Sequence, residues 1–498
     1  MMNGPSTEDR ISCLPNAILC HILSFLPTKY AVATCVLSST WKLVWTSLPN
    51  LCFDDRLCLE FQRNLDLSTV ASTRFENFVN RVLLSASGNI NKFSLRCCGL
   101  VDSSRLKLWV SFATMRNVCE IEISLNDDEC IELPHCIYTC KTLEVLKLDM
   151  NFFIKTPPTI FFPSAKTLHV ILNTIDNNFS DWLFSKCPAL EDLSIKGYIY
   201  GTDSVTLNIP SLTLKRLRLE LEAPEEDYIT KYKVIIRAPN LEQLYIRDHG
   251  PGLYAVHELH SLTKAVVDYG IECILDYDSP EDVAQADVAQ AVVDMLRDIK
   301  NIKSLSLSSG TMFALDRLDY ANDHSFPTFP FLNRLEVEGV GACGWQSVAH
   351  IFSRMPRLES IVFEEGVDFE WPEPSLVLGC LLSHVKIIVI GEFEGEENEM
   401  KLIKYLLKNG EVLNAMIIGG EQFQRRGSKE EISTVFCIRP EKVVKVKKEV
   451  VLQVLMHETD AKILQTEAAR TRTPLYVVGG AEAPDNLEEL GSSFGSMA

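Results

Sequence analysis

Sixteen cysteines and ten histidines are the residues of this 498-residue chain best suited to hold a metal or attack a substrate. Their spacing argues against both roles. No Cys-x-x-Cys pair occurs, and many of the thiols sit inside apolar runs (Cys13, Cys20, Cys35, Cys119, Cys380). Cys136 and Cys140 lie four apart beside His135, but no second ligand pair with finger spacing follows, so they read as structural. His257-Glu258-Leu259-His260 sets its histidines three apart, the wrong interval for a zinc helix. Gly339, Gly341 and Gly344 lack the strand and helix that make a glycine run a phosphate cradle. There is no G-x-x-x-x-G-K-[ST] loop and no G-x-S-x-G elbow. A catalytic thiol needs a neighbouring cation to lower its pKa, and no flanking His or basic cluster singles one out. The expectation is a non-catalytic protein with no metal and no cofactor.

Bulk properties narrow the class further. Hydrophobic residues make up 46% of the chain and charged ones 23%, as in ordinary globular proteins. A net charge of −19 argues against a nucleic-acid or anionic-membrane binder, because phosphate neutralisation needs clustered Lys and Arg. The first ten residues, MMNGPSTEDR, are polar and no apolar stretch follows, so no secretory signal is expected. The longest apolar run, Leu376 to Ile390, is interrupted by Ser383, His384 and Lys386 and is too short to span a bilayer. A soluble protein with reduced, buried thiols is expected, located in the cytoplasm, the nucleus or both.

The elements come into view as a repeat. An apolar residue, two variable ones, an apolar one, a variable one and another apolar recur from Ile90 (IxxFxL), Val118, Leu143, Ala165, Leu190, Leu214, Leu241, Leu262, Ile302, Leu332 and Leu358. Most of their spacings fall in the 20–29-residue window of leucine-rich repeats. Proline introduces several of them (Pro188, Pro239, Pro330, Pro356), which prevents a preceding helix from running into the strand. Helical stretches at Asp181 to Phe184 and Val348 to Phe352 precede two of these. A short strand with one apolar face is unstable alone, and stacking buries a continuous core. The longest gap, after Leu262, contains an acidic insertion over 268–298 that carries nine Asp or Glu and one Arg, with the tandem Asp282-Val-Ala-Gln-Ala and Asp287-Val-Ala-Gln-Ala. Val288, Val292, Met295, Leu296 and Ile299 keep helical spacing there, so it reads as a helix with a solvated acidic face.

Residues 9–50, DRISCLPNAILCHILSFLPTKYAVATCVLSSTWKLVWTSLPN, predict three short helices. Pro15 suits a first turn, and Ile18, Ile22 and Phe25/Leu26 follow at helical spacing. Pro27 ends that helix and Thr28 can cap the next, which carries Val32, Cys35 and Val36. Ser38 or Ser39 can cap a third, with Trp41, Trp45 and Leu48 at i, i+4 and i+7. Three such helices bury little, so part of the apolar surface is expected to meet a partner. The stretch resembles the F-box in its plant form: D-R-I-S-x-L-P, then H-I-L-S-F-L-P-T-K, then L-S-x-x-W-x-x-x-W. Ser39 and Thr40 stand where that family usually has basic residues. Farther on, CLLSHVK and GEFEGEENEMKLIKYLLKNGEVL resemble the FBD domain that closes many plant F-box/leucine-rich-repeat proteins. This segment reads as a strand over Leu378 to Ile390, an acidic turn at Glu394 to Glu399 and a helix with Glu396, Glu397 and Glu399 near its start and Lys404 and Lys408 near its end. Gly410 and a strand over Val412 to Ile418 follow.

The resulting expectation is an α/β chain: a three-helix F-box at 9–50, a helical linker at 51–89, and an irregular leucine-rich solenoid of parallel strands and helices at 90–368. An FBD segment at 369–420 caps the solenoid, and the tail at 421–498 has its last part disordered. The resemblance implies a substrate-recognition subunit of a ubiquitin ligase. Its F-box would bind a Skp-type adaptor and, through it, a cullin and RING subunit; its repeats would bind a protein substrate. A scaffold or ligand sensor acting outside a ligase is the alternative. The adaptor contacts implied by resemblance are Leu14, Pro15, Ile18, Leu19, Ile22, Leu23, Leu26, Pro27, Val32, Leu37, Trp41 and Trp45, some of which must instead be core. For the substrate, outward repeat positions form the ladders Asp192–Arg216–Gln243, Ser194–Arg218–Tyr245 and Lys196–Glu220–Arg247. Arg218 stands out there as the least compensated cation, so Arg216, Arg218, Tyr245 and Arg247 are the candidate surface for an acidic or phosphorylated peptide.

Overall fold

The computed structural model describes residues 11–59, 68–98, 101–126, 131–150, 152–153, 162–172, 187–199, 205–222, 232–249, 252–270, 282–316, 326–339, 345–364, 377–391 and 397–418. The helix expected at Asp181 to Phe184, the acidic turn before Glu397 and the whole tail after Ile418 lie outside them. The chain divides into two compact units, Met1–Leu241 and Glu242–Ala498.

The first unit opens with α1 (Asn16–Leu23) and α2 (Thr28–Ala33), each entered through a proline whose fixed φ suits the residue before a helix. The expected third helix is a single 3-10 turn, Val44–Ser47. Leu48 precedes Pro49 and takes an extended backbone, which stops helix propagation. The turn before it is held by side chains instead: the Trp41 indole N–H donates to Ser12 Oγ at 2.9 Å, and Ser12 Oγ lies 3.3 Å from Ser38 Oγ. Thr28 is not a cap either. Its Oγ1 accepts the Cys52 backbone N–H at 2.7 Å and so ties α2 to the strand that follows.

That strand corrects the expected linker over 51–89, which begins as β1 (Asn50–Asp54) before reaching helix α3 (Ser68–Ser85). Leu48, Leu51 and Phe53 are one more copy of the repeat, although the spacing of Leu48 from Trp41 and Trp45 suggests a helix. From β1 the parallel sheet runs through β2 (Lys92–Cys97), β3 (Glu120–Leu125), β4 (Val145–Asp149), β5 (Thr167–Leu172) and β6 (Asp192–Tyr198). After a strand β7 (Thr206–Pro210) that lies elsewhere, it continues to β8 (Arg216–Glu222). Leu51, Phe93, Ile121, Leu146, Leu168, Leu193 and Leu217 align in register as one buried row. The turn ahead of each strand is also shared: the carbonyls of Asn91, Cys119, Glu144, Lys166 and Glu191 each accept two backbone N–H groups of the next repeat. β7 pairs in parallel with β9 (Tyr232–Arg237), so period-two apolar strands replace helices on the far side of these repeats. Helix α4 (Ser103–Met115) is capped by Asp102, which accepts the Ser104 N–H at 2.7 Å, and it is locked to α3 by the Trp109 indole donating to Asn80 Oδ1 at 2.7 Å.

The second unit repeats the plan. β10 (Gln243–Asp248) pairs in parallel with β12 (Lys264–Tyr269), and β11 (Gly252–His257) packs against α5 (Asp282–Asp298). The sheet continues through β13 (Ser304–Leu307), β14 (Arg334–Val337), β15 (Ser360–Phe363), β16 (Ile387–Ile390) and β17 (Ala415–Ile418). α5 is the helix expected in the acidic insertion, with Val292, Met295, Leu296 and Ile299 buried; the side chain of Val288 is outside the described residues. Helix α6 (Ser309–Asp316) follows β13, and α7 (Trp345–Ser353) holds the helical stretch read at Val348 to Phe352. The run Leu378 to Ile390, expected as one strand, is helix α8 (Gly379–Ser383) followed by β16. Helix α9 (Glu397–Asn409) ends where Gly410 approaches the Leu406 carbonyl; a Cβ there would sit 2.8 Å from that oxygen. Trp345 of α7 meets Tyr405 of α9 edge-on at 5.4 Å. Val385 and Leu413 are two further repeat starts, so the C-terminal segment continues the repeat geometry.

Candidate functional site

Burial sorts the twelve residues expected at the adaptor face. Leu19 and Leu23, one turn apart on α1, are buried with Trp41, Ala31, Val44 and Leu48, and form the small core of the N-terminal helices. Leu14, Val32 and Trp45 are half-buried, and Pro15 and Pro27 are exposed. Ile18 is 45% exposed, Ile22 39%, Leu26 41% and Leu37 65%. Ile18 and Ile22 share one flank of α1 with Phe25, which is 75% exposed and touches His21 edge-on at 5.0 Å. Ile11, Phe25, Tyr30, Val36 and Leu43 are exposed as well and were not among the expected contacts. Val36 shares the apolar spacing of the second helix with Val32 and Cys35, and Leu43 lies off any stripe; spacing alone does not say which apolar side chains stay uncovered. Large apolar side chains so concentrated in a few dozen residues mark a surface built to be covered. Behind it, Cys20 Sγ donates to the Val44 carbonyl at 3.5 Å, and Lys29 Nζ donates to the Leu57 carbonyl.

The outward positions of the repeats carry charge, and the charges largely satisfy one another. Lys92 bonds Glu120 at 2.9 Å and Glu122 at 2.7 Å, and Lys147 bonds Glu122 at 2.9 Å. Burial opposes the charge on Glu122, but the two lysines outweigh it and bring its carboxyl from 4.5 down to about 2. Arg216 donates to Asp192 at 2.8 Å, as its ladder predicts, and His169 approaches the same carboxylate at 3.3 Å. Burial of Asp192 works against ionisation, yet those two hydrogen bonds hold its carboxyl below the usual range. Arg218 is not the uncompensated cation expected. It bonds Glu220, two residues along its own strand, at 2.6 Å, and Lys196 turns instead to Glu222 at 3.7 Å. In the second unit, Arg247 bonds Asp268 at 2.5 Å, and Tyr245, half-buried, lies in register with Val266.

Among the described residues no three of His, Cys, Asp or Glu converge on a metal-sized site. Burial pushes the Cys187 thiol up to about 12 and that of Cys380 up to about 11, away from the thiolate that nucleophilic chemistry requires. No helix among the described residues is long and apolar enough to cross a membrane.

Comparison with known proteins agrees with this anatomy. A model of the F-box domain matches residues 11–53, and one of the leucine-rich repeats of FBD-associated F-box protein At5g56370 matches residues 106–257. A model of the FBD domain matches residues 373–418. The chain is 34% identical to the F-box/LRR-repeat protein At4g14103 of Arabidopsis thaliana, over 73% of its own length and 93% of the relative's. It is 31% identical to F-box/LRR-repeat protein At4g14096 of the same plant, over 84% and 89%. The chain belongs to the plant F-box/FBD/leucine-rich-repeat family. The F-box match runs into β1, so in this member the F-box and the first repeat share a strand boundary. The FBD match ends on β17 and covers α8, β16, α9 and β17, the last two strand-bearing turns of the second unit's sheet among the described residues.

Proposed function

We propose that this F-box protein is the substrate-recognition subunit of a Skp–cullin–F-box ubiquitin ligase, acting in the cytoplasm, the nucleus or both. The observation that carries the reading is the exposed apolar surface of the F-box, with Phe25, Leu37, Val36 and Leu43 each at least 65% exposed beside a separate buried core of Leu19, Leu23 and Trp41. A Skp-type adaptor covers that surface and brings in the cullin and RING subunit. The chain itself performs no chemistry; it contributes proximity and orientation between a substrate and a charged conjugating enzyme. The leucine-rich repeats take the protein substrate on the outward side of their strands, and the residues to probe there are Arg216 and Arg218 on the first unit and Tyr245 and Arg247 on the second. The three arginines already hold Asp192, Glu220 and Asp268, so an acidic substrate group shares each guanidinium with an internal carboxylate or displaces it.

The test is direct binding of purified full-length chain to a Skp-type adaptor. Phe25→Glu/Leu37→Glu removes two apolar side chains from the surface without touching the core, each worth about 1.5–3 kcal/mol if fully buried by a partner. Together they weaken adaptor binding at least about a hundredfold, since every 1.4 kcal/mol is tenfold. Unchanged binding by that variant, or none by the wild type, defeats the ligase reading and favours a scaffold. For the substrate, capture by Arg218→Glu/Tyr245→Ala is compared with wild type, with adaptor binding as the folding control. Undiminished capture places the docking site elsewhere.

A further inference from the structure

The outward face of the second unit's sheet changes character along its length. On β10, β12, β13 and β14 the outward residues are Gln243, Tyr245, Lys264, Val266, Ser304, Ser306, Arg334 and Glu336, mostly polar. On β15, β16 and β17 they are Ser360 and Val362, Ile387 and Val389, Ala415 and Ile417, in register across the three strands. Their inward neighbours Ile361, Ile388 and Met416 are buried to 0%. These last three strands are therefore apolar on both faces. Parallel strands of that composition belong to sheets covered on both sides, whereas the alternating strands before them suit a sheet with one wet face. Ile387, Val389, Ala415 and Ile417 nonetheless stay partly exposed. Beside the apolar patch stand carboxylates: Glu336 in register with Val362, and Glu338 and Glu364 directly after their strands.

Residues 419–498 continue directly from the strand that carries Ile417. Within them, residues 443–456 read VVKVKKEVVLQVLM, which is apolar enough to fill such a patch and carries Lys445, Lys447 and Lys448 at one end to meet its acidic border. The intervening residues 419–442 exceed the dozen or so that a crossover onto a parallel sheet needs. We propose that residues 443–456 of this same chain seat on the outward face of β15–β17, the apolar half over Val362, Val389 and Ile417 and the lysines toward Glu336, Glu338 and Glu364. The C-terminal segment is then an intramolecular cover of the FBD end of the repeats. This does not rest on the adaptor reading.

The test uses the full-length chain with the photo-crosslinking residue p-benzoylphenylalanine placed singly at Ile417, Val389 or Ser360, and at Gln243 as a control. Replacement at Ser360 loses neither an apolar contact nor a hydrogen bond, since its Oγ is buried without a partner among the described residues. Irradiation and peptide mapping are expected to give monomeric cross-links into residues 443–456 from all three patch positions and none from Gln243. Lys445→Glu/Lys447→Glu/Lys448→Glu is expected to reduce that yield several-fold. Cross-links to another part of the chain, to a second copy, or to no protein residue from Ser360 overturn the proposal, as does an undiminished yield from the charge-reversed chain.

Discussion

Glu122 is where the charge ladders of the first unit are concentrated. It takes hydrogen bonds from Lys92 and Lys147 on strands to either side, and its carboxyl sits near 2 rather than 4.5. A depressed carboxyl contributes stability that is fully present above its unfolded value and is lost as pH falls through the folded one. Glu122→Gln should therefore lower the protection of the β2–β3 amides against hydrogen exchange at pH 7, with the difference from wild type vanishing as pH drops from about 4.5 toward 2. A difference that persists unchanged at pH 2 would show that shape rather than charge is at work. Arg218 is a contrasting case. Its pairing with Glu220 is half exposed, and pairs of that kind contribute at most about 1 kcal/mol. Arg218→Ala is expected to leave the urea midpoint almost unmoved, which makes it a clean probe of substrate capture. The ladder leaves Arg218 uncompensated because it counts partners only across strands, and the arginine is long enough to reach two residues along its own strand.

At the scale of elements, the apolar frame was legible because each repeat start, from Ile90 to Leu358, is a side chain buried by its neighbours above and below. The pattern is equally complete at Leu48 and Val385, but helical spacing from Trp41 and Trp45 claims the first and the apolar run Leu378 to Ile390 absorbs the second. The F-box helices were legible as helices, but which of their side chains face inward was not, since Ile18 and Leu19 differ by one position and not by type. Thr28 shows how a local rule is overridden: a good cap by composition, it serves as the acceptor for the Cys52 amide across 24 residues. Thr28→Val leaves that amide without its partner at a cost of about 1–3 kcal/mol, so exchange of the Cys52 amide should speed by roughly tenfold or more, while Thr28→Ser restores it. Asn117 makes a comparable point at the end of α4. It has a φ of 58° and continues the chain after the helix, with its N–H on the Thr114 carbonyl. Asn117→Gly should be tolerated, and Asn117→Val should destabilise the first unit in urea by about 1–2 kcal/mol, because a β-branched side chain is crowded in the left-handed region.

At the scale of the whole chain, the question is whether any part of it acts on ubiquitin itself. The described cysteines are buried, half-buried (Cys20, Cys35, Cys52, Cys119 and Cys136) or exposed. Cys97, Cys140, Cys187 and Cys380 are buried, and burial raises the thiols of Cys97, Cys187 and Cys380, which suppresses the thiolate. Cys13 and Cys98 are exposed, but Cys13 begins the F-box segment that the proposed adaptor covers, and Cys98 donates its backbone N–H to Asp55 at 2.8 Å, which places a carboxylate rather than a cation beside it. An acceptor thiol for a charged conjugating enzyme needs exposure and a cationic setting together. The full-length chain incubated with activating enzyme, conjugating enzyme and ubiquitin is therefore expected to form no reductant-sensitive ubiquitin adduct, and to promote transfer only after the adaptor, cullin and RING subunit are added. An adduct on the isolated chain that survives Cys13→Ser and Cys98→Ser would mean that a thiol elsewhere is activated and that the chain is an enzyme in its own right. Transfer that appears with the assembled ligase and is abolished by Phe25→Glu/Leu37→Glu would tie the activity to the exposed F-box face rather than to any cysteine.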